Sequence, residues 1–237
     1  DGANLGTYGV CPSARGICFD GANIWVANSA LDNVTKLRAS NGALVDYYTV
    51  GASPQGMCFD GANIWVANSN SDNVTKLRAS DGANLGTYAV GDKPMGICFD
   101  GANIWVANYN SCNVTKLRAS DGANLGTYAV GVGPQGMCFD GANIWVTNVL
   151  NDNVTKLRAS DGADLGTYAV GVGPQGICFD GANIWVANTS SDNVTKLRAS
   201  DGTNLGTYGV GDGPRGICFD GANIWVTNWM SDNVTKL

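Results

Sequence analysis

Apolar and polar positions alternate in short runs along this chain. Between residues 55 and 90, each apolar run has five to seven residues, is rich in Ile, Val, Trp, Tyr, Phe and Thr, and ends at Asp-Gly, Asn or Ser-Asp. No run keeps a 3.6-residue period over the length of a helix. This composition, with turn residues between the runs, is typical of β-strands. The pattern predicts four antiparallel strands, A to D, over GMCFD, NIWVAN, NVTKLRA and NLGTYAV.

The four-strand unit repeats every 40 residues. Its phrase GANIWV never changes and begins at Gly21, Gly61, Gly101, Gly141, Gly181 and Gly221. Periods of this length indicate solenoids or propellers, and four antiparallel strands in each unit favour a β-propeller. We therefore predict an all-β fold, a single six-bladed β-propeller over residues 1–237. The blade cores are expected near 15–50, 55–90, 95–130, 135–170, 175–210 and 215–237.

The first residues of the sequence match the strand that the last repeat lacks. Residues 1–10 match strand D, and the last repeat stops inside strand C. We predict that residues 1–10 complete the C-terminal blade as its fourth strand, which would close the ring and remove an open sheet edge. The sequence has no initiator Met and opens inside a repeat, so we expect a fragment, a trimmed chain or a processed product.

The unit PQGMCFDGANIWVANSNSDNVTKLRASDGANLGTYAVG resembles the bacterial propeller repeats called YVTN and NHL, and the blades of virginiamycin B lyase. The shared pattern is Pro-x-Gly-apolar, then Asp-Gly, a Trp-Val-Ala-Asn strand, an Asx turn and Val-Thr-Lys-Leu. The resemblance covers the whole chain and implies a propeller. It says little about function, because the family includes enzymes, peptide binders and surface proteins.

Composition narrows the function classes. The formal net charge is -6, which argues against binding a nucleic-acid backbone, and no apolar run is long enough to span a membrane. The resemblance implies a His base in the lyases, but this chain has no His and no Glu. We therefore expect no enzyme activity, no cofactor, no metal site, no nucleic-acid or membrane partner, and a monomer.

Six of the eight Cys recur once in each repeat, at Cys18, Cys58, Cys98, Cys138, Cys178 and Cys218. Around a ring, neighbouring copies are expected to lie beyond disulfide reach. We predict free, buried thiols, which favour a cytoplasmic protein but leave secretion open. The mid-strand Trp of each blade is predicted to be inter-blade core. The strand-C Lys and Arg are expected to be solvated or paired with residues of the Asp32 type.

Almost all divergence between the repeats lies in the B–C turns and the D–A connections, which an up-and-down blade places on the same face; the exception is strand D of blade 1, where VDYYT at 45–49 replaces LGTYA. The B–C turns carry large apolar residues at Leu31, Tyr109, Val149, Leu150, Trp229 and Met230. The start of strand A carries Arg15, Gln55, Met95, Gln135, Gln175 and Arg215, which are predicted to ring the channel mouth. These twelve residues form the predicted ligand-binding site, with a protein or peptide as the expected partner.

Three interpretations remain open at this stage. The divergent face is a selected binding surface, or it reflects the drift that exposed loops tolerate. The near-identical blades also fit a structural spacer or an engineered scaffold without a ligand. A lyase or lactonase-like enzyme is the third interpretation, and the missing His and Glu argue against it.

Overall fold

The computed structural model describes residues 4–237, which form a six-bladed all-β propeller. Blades 1 and 2 contain β1 Ala14–Phe19, β2 Asn23–Asn28, β3 Asn33–Arg38, β4 Leu44–Thr49, β5 Pro54–Phe59, β6 Asn63–Asn68, β7 Asn73–Arg78 and β8 Asn84–Ala89. Blades 3 and 4 contain β9 Pro94–Phe99, β10 Asn103–Asn108, β11 Asn113–Arg118, β12 Asn124–Ala129, β13 Pro134–Phe139, β14 Asn143–Asn148, β15 Asn153–Arg158 and β16 Asp164–Ala169. Blades 5 and 6 contain β17 Pro174–Phe179, β18 Asn183–Asn188, β19 Asn193–Arg198, β20 Asn204–Gly209, β21 Pro214–Phe219, β22 Ile224–Asn228 and β23 Asn233–Lys236. Within residues 4–237 no helix is long and apolar enough to cross a membrane.

The strand prediction is confirmed blade by blade. Neighbouring strands pair antiparallel in sequence order, and strand B spans NIWVAN in blades 1 to 5. Strand A begins earlier than predicted, at a proline in blades 2 to 6. A proline is tolerated there because the first residue of a strand can dispense with a ladder N–H.

The core lies between blades, in five equivalent layers. In the first layer, Trp25 and Val34 of blade 1 pack against Ile64, Val66 and Leu77 of blade 2. The predicted role of the mid-strand Trp residues as inter-blade core is confirmed wherever a following blade covers them. Trp25, Trp65, Trp105 and Trp145 are fully buried, each with a Tyr ring from strand D 5.3 to 5.5 Å away. Each blade therefore has one Trp-bearing face and one Ile-bearing face.

Glycine sets the close approach of blades at the central axis. A Cβ atom added at Gly56 would collide with the backbone carbonyl oxygen of Met95 in the next blade. The same holds at Gly16, Gly96, Gly136 and Gly176. The first strands can therefore pack backbone to backbone around the channel.

The ring is not closed between blade 6 and blade 1, which corrects one part of the sequence prediction. The last sheet contains only β21, β22 and β23 within the described residues, and residues 4–13 form no strand. The Tyr8 ring instead lies against Gly42 of blade 1, as Tyr48 lies against Gly82 of blade 2. The N-terminal segment contacts blade 1 and does not pair with β23. The first three residues of the predicted strand lie outside the described residues.

Candidate functional site

The two divergent segments of each blade are hydrogen-bonded to each other. In blade 3 the Tyr109 backbone N–H donates to the Lys93 carbonyl oxygen at 2.9 Å, and in blade 6 Trp229 donates to Gly213 at 3.0 Å. The equivalent bond is present in all six blades. The B–C turns and D–A connections therefore form one continuous surface, here called the variable face.

An aspartate that closes the B–C turn in five of the six blades fixes this surface to the next blade. The Asp32 carboxylate accepts a hydrogen bond from the Ser53 backbone N–H at 2.8 Å, and Asp192 does the same for Gly213 at 2.9 Å. These aspartates have a left-handed backbone, with φ near 52°, which Asp tolerates better than most residues. Cys112 takes this position in blade 3. The variable loops are thus held by main-chain bonds, by this carboxylate and, in blades 2 to 6, by a Ser or Asn at the third turn position, such as Ser71, whose hydroxyl accepts from the Ala52 backbone N–H at 2.7 Å.

Six of the predicted residues converge on one cavity at the channel mouth. The cavity has a volume of about 330 Å³ and is lined by Arg15, Gln55, Met95, Gln135, Gln175 and Arg215, each followed by a glycine. Two of these side chains, Gln135 and Gln175, approach each other at 3.5 Å between Nε2 and Oε1. The mouth therefore offers amide groups, one thioether and two guanidinium groups to a ligand.

Blade 6 joins this mouth to an exposed aromatic patch. The Arg215 guanidinium carbon lies 4.1 Å from the centre of the Trp229 ring, and the Arg215 Nε atom is buried without a hydrogen-bond partner. Trp229 and Met230 are 56% and 64% exposed. A neighbouring groove of about 380 Å³ is lined by Arg215, Trp229, Asp232 and Val234, among others. This corner combines a cation with exposed apolar surface.

A second apolar contact spans blades 3 and 4. A Cβ atom added at Gly133 would lie 3.2 Å from both the Tyr109 ring and the Leu150 side chain. The Lys93 Nζ atom sits 4.9 Å from the Tyr109 ring centre. Tyr109 is half-buried, and Leu150 is exposed.

The remaining predicted residues are more separate. Leu31 is exposed on its own turn in blade 1, and Val149 is half-buried next to Leu150. None of the six B–C turn residues lines the channel-mouth cavity. The twelve predicted residues thus form a central ring with apolar groups outside it.

The opposite face, here called the constant face, consists of the A–B and C–D turns. In blade 3 the Asp100 carboxylate accepts hydrogen bonds from the Trp105 indole N–H at 2.8 Å and from the Asn103 backbone N–H at 2.6 Å. Burial raises the pKa of Asp100, but the bonds from Trp105, Asn103 and Ala102 together outweigh it and lower the pKa below its usual value. The same arrangement at the other A–B turns explains why the Asp, Asn and Trp of FDGANIW do not vary.

The strand-C lysines differ from the expectation of solvated or Asp-paired side chains. Lys116 is 5% exposed, and its ammonium group donates to the carbonyl oxygens of Ala159 at 2.7 Å and Ser160 at 3.1 Å in the next blade. It also lies 4.9 Å from the Trp105 ring centre. The strand-C arginines do agree with the expectation of solvated or paired side chains. Arg118 is exposed to solvent and pairs with Asp121. The lysine is buried because the next C–D turn presents two unpaired carbonyl groups.

The constant face also contains grooves that the sequence analysis missed. They lie between neighbouring blades and have volumes of about 550 to 590 Å³. One is lined by Asp100, Asn103, Lys116, Phe139 and Arg158, among others. Most of these polar groups already bond within the protein. The only sequence feature that could have indicated these grooves is the unvarying Phe at the end of strand A and Arg at the end of strand C, which both lie beside the constant-face turns.

All eight cysteines are free, as predicted. The strand-A thiols are half-buried apart from Cys218, which is exposed. Burial raises the pKa of the Cys18 and Cys178 thiols to about 12, with nearby Asp20 and Cys218 adding to the effect. Thiols held protonated in this way are poor nucleophiles and poor metal ligands. Among residues 4–237 no group of His, Cys, Asp or Glu side chains could hold a metal ion.

No family model matches this sequence, and no curated protein matches it. Solved structures match the fold. A streptogramin B lyase superposes with a TM-score of 0.80 and 18% identity, over 94% of this chain and 82% of that chain. A catalytically inactive histidine-to-alanine variant of virginiamycin B lyase from Staphylococcus aureus, with quinupristin, gives 0.81 and 18% over 98% and 81%. A functionally unknown protein from Desulfotomaculum acetoxidans gives 0.81 and 14% over 92% and 79%.

The structural neighbours are virginiamycin B lyase-like β-propellers. At these identities the likeness shows the fold alone. This likeness does not identify the repeats as the YVTN or NHL type.

Proposed function

We propose that this propeller is a non-catalytic recognition module that binds a protein or peptide on its variable face. One observation carries the proposal. The segments that diverge in every repeat join in each blade into one surface, and that surface surrounds a cavity of about 330 Å³. Variation on exposed loops alone is common, but the turns of the constant face are also exposed and hardly vary.

The chemistry of the face favours a protein or peptide ligand. Interface hot spots are enriched in Trp, Tyr and Arg, and Trp229, Met230 and Arg215 lie together at one corner. The glutamines and arginines of the mouth can bond to peptide carbonyl or carboxylate groups. We propose a monomeric cytoplasmic protein of the bacterial YVTN or NHL repeat type, without nucleic-acid or membrane partners.

We also propose that this protein is not an enzyme. The inactive neighbour differs from an active lyase by a histidine-to-alanine change, and this chain has no His and no Glu. The variable face therefore lacks the residue types that most often act as general bases, apart from scattered Asp. No cofactor or metal is part of the proposed function.

The experiment compares two chains as baits in a pull-down from a bacterial lysate. The first is this chain, and the second carries the blade 2 text, Ser-Asn-Ser, at every B–C turn and Gly-Pro-Gln at every D–A connection. Both keep the constant face and all core residues. A partner retained only by the first chain supports the recognition face, and its affinity is then measured with Trp229→Ala. Identical captures by both chains contradict the proposal.

A second candidate function is a structural spacer or an engineered scaffold. It is favoured by the identity of FDGANIWV and NVTKL in all six repeats. Identical captures in the same experiment would support it.

A further inference from the structure

The channel mouth carries positive charge in a protein that is acidic overall. The chain has a formal net charge of -6, yet the residues that line the mouth include Arg15 and Arg215 and no acidic residue. Both arginines lie at the start of a strand A, and the A strands pack around the channel. The local charge therefore favours a ligand group that is negatively charged.

Most other cations of the chain already have a partner within the protein. All six strand-C lysines lie over Trp rings, and four of them, such as Lys116, also donate to carbonyl oxygens of the next blade. The strand-C arginines of blades 2 to 5 pair with aspartates at 2.8 to 3.0 Å. These four are the only ion pairs within residues 4–237, so neither Arg15 nor Arg215 is paired with a carboxylate there. The guanidinium groups of the mouth can therefore pair with a ligand.

Trp229 holds the Arg215 guanidinium group in a defined place. The guanidinium carbon lies over the indole ring, 4.1 Å from its centre. The Nε atom is buried and has no hydrogen-bond partner, which is uncommon for a buried donor. A guanidinium over an aromatic ring keeps its terminal N–H groups free for other acceptors. A carboxylate matches these groups with two parallel hydrogen bonds.

The amide groups of the mouth suit the backbone of a peptide. A Gln side chain has a carbonyl acceptor and N–H donors, as a peptide group does. Gln135 and Gln175 meet at 3.5 Å, which is long for a hydrogen bond, so a ligand can replace this contact. Gln55 donates to the Ser53 hydroxyl at 3.1 Å, and its carbonyl oxygen can still accept. The cavity of about 330 Å³ is small for a ligand pocket. It therefore fits a chain terminus or one acidic side chain.

Apolar surface lies directly beside the arginine corner. A Cβ atom added at Gly213, two residues before Arg215, would lie 3.0 Å from the Met230 side chain. Met230 and Trp229 are both exposed. A residue next to a carboxylate bound at Arg215 would therefore contact apolar side chains.

We propose that the channel mouth binds a carboxylate group of a peptide through Arg15 and Arg215, with a neighbouring apolar residue on Trp229 and Met230. This inference rests on the proposed recognition function and names the chemistry of its ligand. The carboxylate can belong to the free C-terminus of the peptide or to an Asp or Glu side chain, because both present the same pair of acceptor oxygens.

A peptide capture experiment tests the proposal. The immobilised 237-residue chain is incubated with a synthetic pool of acetylated octapeptides, and the retained peptides are quantified by mass spectrometry. The pool has matched sets with or without one Asp or Glu, each made with a free carboxylate or an amide at the C-terminus. We expect peptides with a carboxylate to be retained about tenfold more than peptides without one, because charge-assisted hydrogen bonds are stronger than neutral ones. The sets with a single carboxylate show which source binds.

The double variant Arg15→Gln/Arg215→Gln removes both cations and should reduce this preference to less than about twofold. The matched control is Arg38→Gln/Arg78→Gln, which removes the same charge from the constant face and should keep the preference. Urea denaturation should show both chains folded, because the mouth arginines make no ion pair and the Arg78 pair is exposed. Arg215→Lys keeps the charge but lacks the planar fork, so it should keep only part of the preference.

Two results would overturn the carboxylate site while leaving the recognition function in place. One is equal retention of peptides with and without a carboxylate. The other is a carboxylate preference that survives Arg15→Gln/Arg215→Gln. Retention of no peptide by the unmodified chain would also overturn the carboxylate site, and the pull-down with its blade 2 control would then decide the recognition function separately.

Discussion

The variable and constant faces of this propeller are built from the same number of turns but are stabilised differently. On the variable face, backbone hydrogen bonds join the two segments of each blade. In blades 2 to 6 a Ser or Asn at the third turn position adds a side-chain bond, and the divergence is concentrated at the first two turn positions. On the constant face a backbone bond also joins the turns, such as Ala119 N–H to the Ala102 oxygen at 3.0 Å. There, however, side chains satisfy buried donors and acceptors, including the Trp105 indole N–H and the Ala159 carbonyl oxygen. The sequence diverges most at turn positions such as Tyr109, Val149 and Trp229, where the backbone rather than the side chain makes the hydrogen bond.

The largest expected effect is at the carboxylate of the constant face. Asp100→Ala removes the acceptor for a fully buried indole and for two backbone N–H groups. Leaving buried donors unsatisfied should lower the free energy of unfolding by about 3 kcal/mol, measured by urea denaturation. The matched control is Asp92→Ala on the variable face of the same blade, where the exposed carboxylate accepts only from the Asn110 side chain. Equal losses at the two positions would refute the contrast between the faces.

The buried lysine should have the second-largest effect. Lys116→Met keeps most of the apolar stem against Trp105 but removes the donor to the Ala159 and Ser160 carbonyl groups. We expect the free energy of unfolding to fall by about 2 kcal/mol, because two turn carbonyls lose their partner. Lys93→Met on the variable face is the control, since Lys93 only overlies the Tyr109 ring and such exposed contacts contribute about 0.5–1 kcal/mol. A larger loss at Lys93 would reverse the comparison.

The constant face should also make stability sensitive to acid. Burial raises the folded-state pKa of Asp60, Asp100 and Asp140, but the hydrogen bonds from Trp, Asn and Ala together outweigh it and hold the pKa below its usual value. A lowered folded pKa stabilises the fold above the unfolded pKa, and this contribution is lost as the pH falls through the folded value. Stability should therefore decline below about pH 4. Asp100→Asn should flatten this decline, measured by urea denaturation at several values between about pH 5 and pH 2.

Much of the propeller could be predicted from the sequence, because the same four-strand pattern occurs in six consecutive repeats. The Trp105-type core, the four strands of each blade and the common face of the divergent loops follow from alternation and chain direction. The burial of Lys116 did not follow, because its partners are carbonyl groups 43 and 44 residues away in the next blade. The open edge between blade 6 and blade 1 did not follow either, since strand phase gives the order of strands but not the curvature of the ring.

The smallest expected effect on stability is at the most divergent positions. Trp229 and Met230 are mostly exposed, and their backbone bonds to Gly213 and Asp212 do not depend on side-chain type. Met230→Ala should change the free energy of unfolding by less than about 0.5 kcal/mol, as exposed substitutions usually do, and Trp229→Ala by little more, through its contact with Arg215. If the variable face binds a partner, Trp229→Ala should weaken that binding by about 2 kcal/mol or more, measured by calorimetry. A large loss of stability without loss of binding would mean that Trp229 and Met230 belong to the core. The side chains of the variable face would then stabilise the fold, as those of the constant face do.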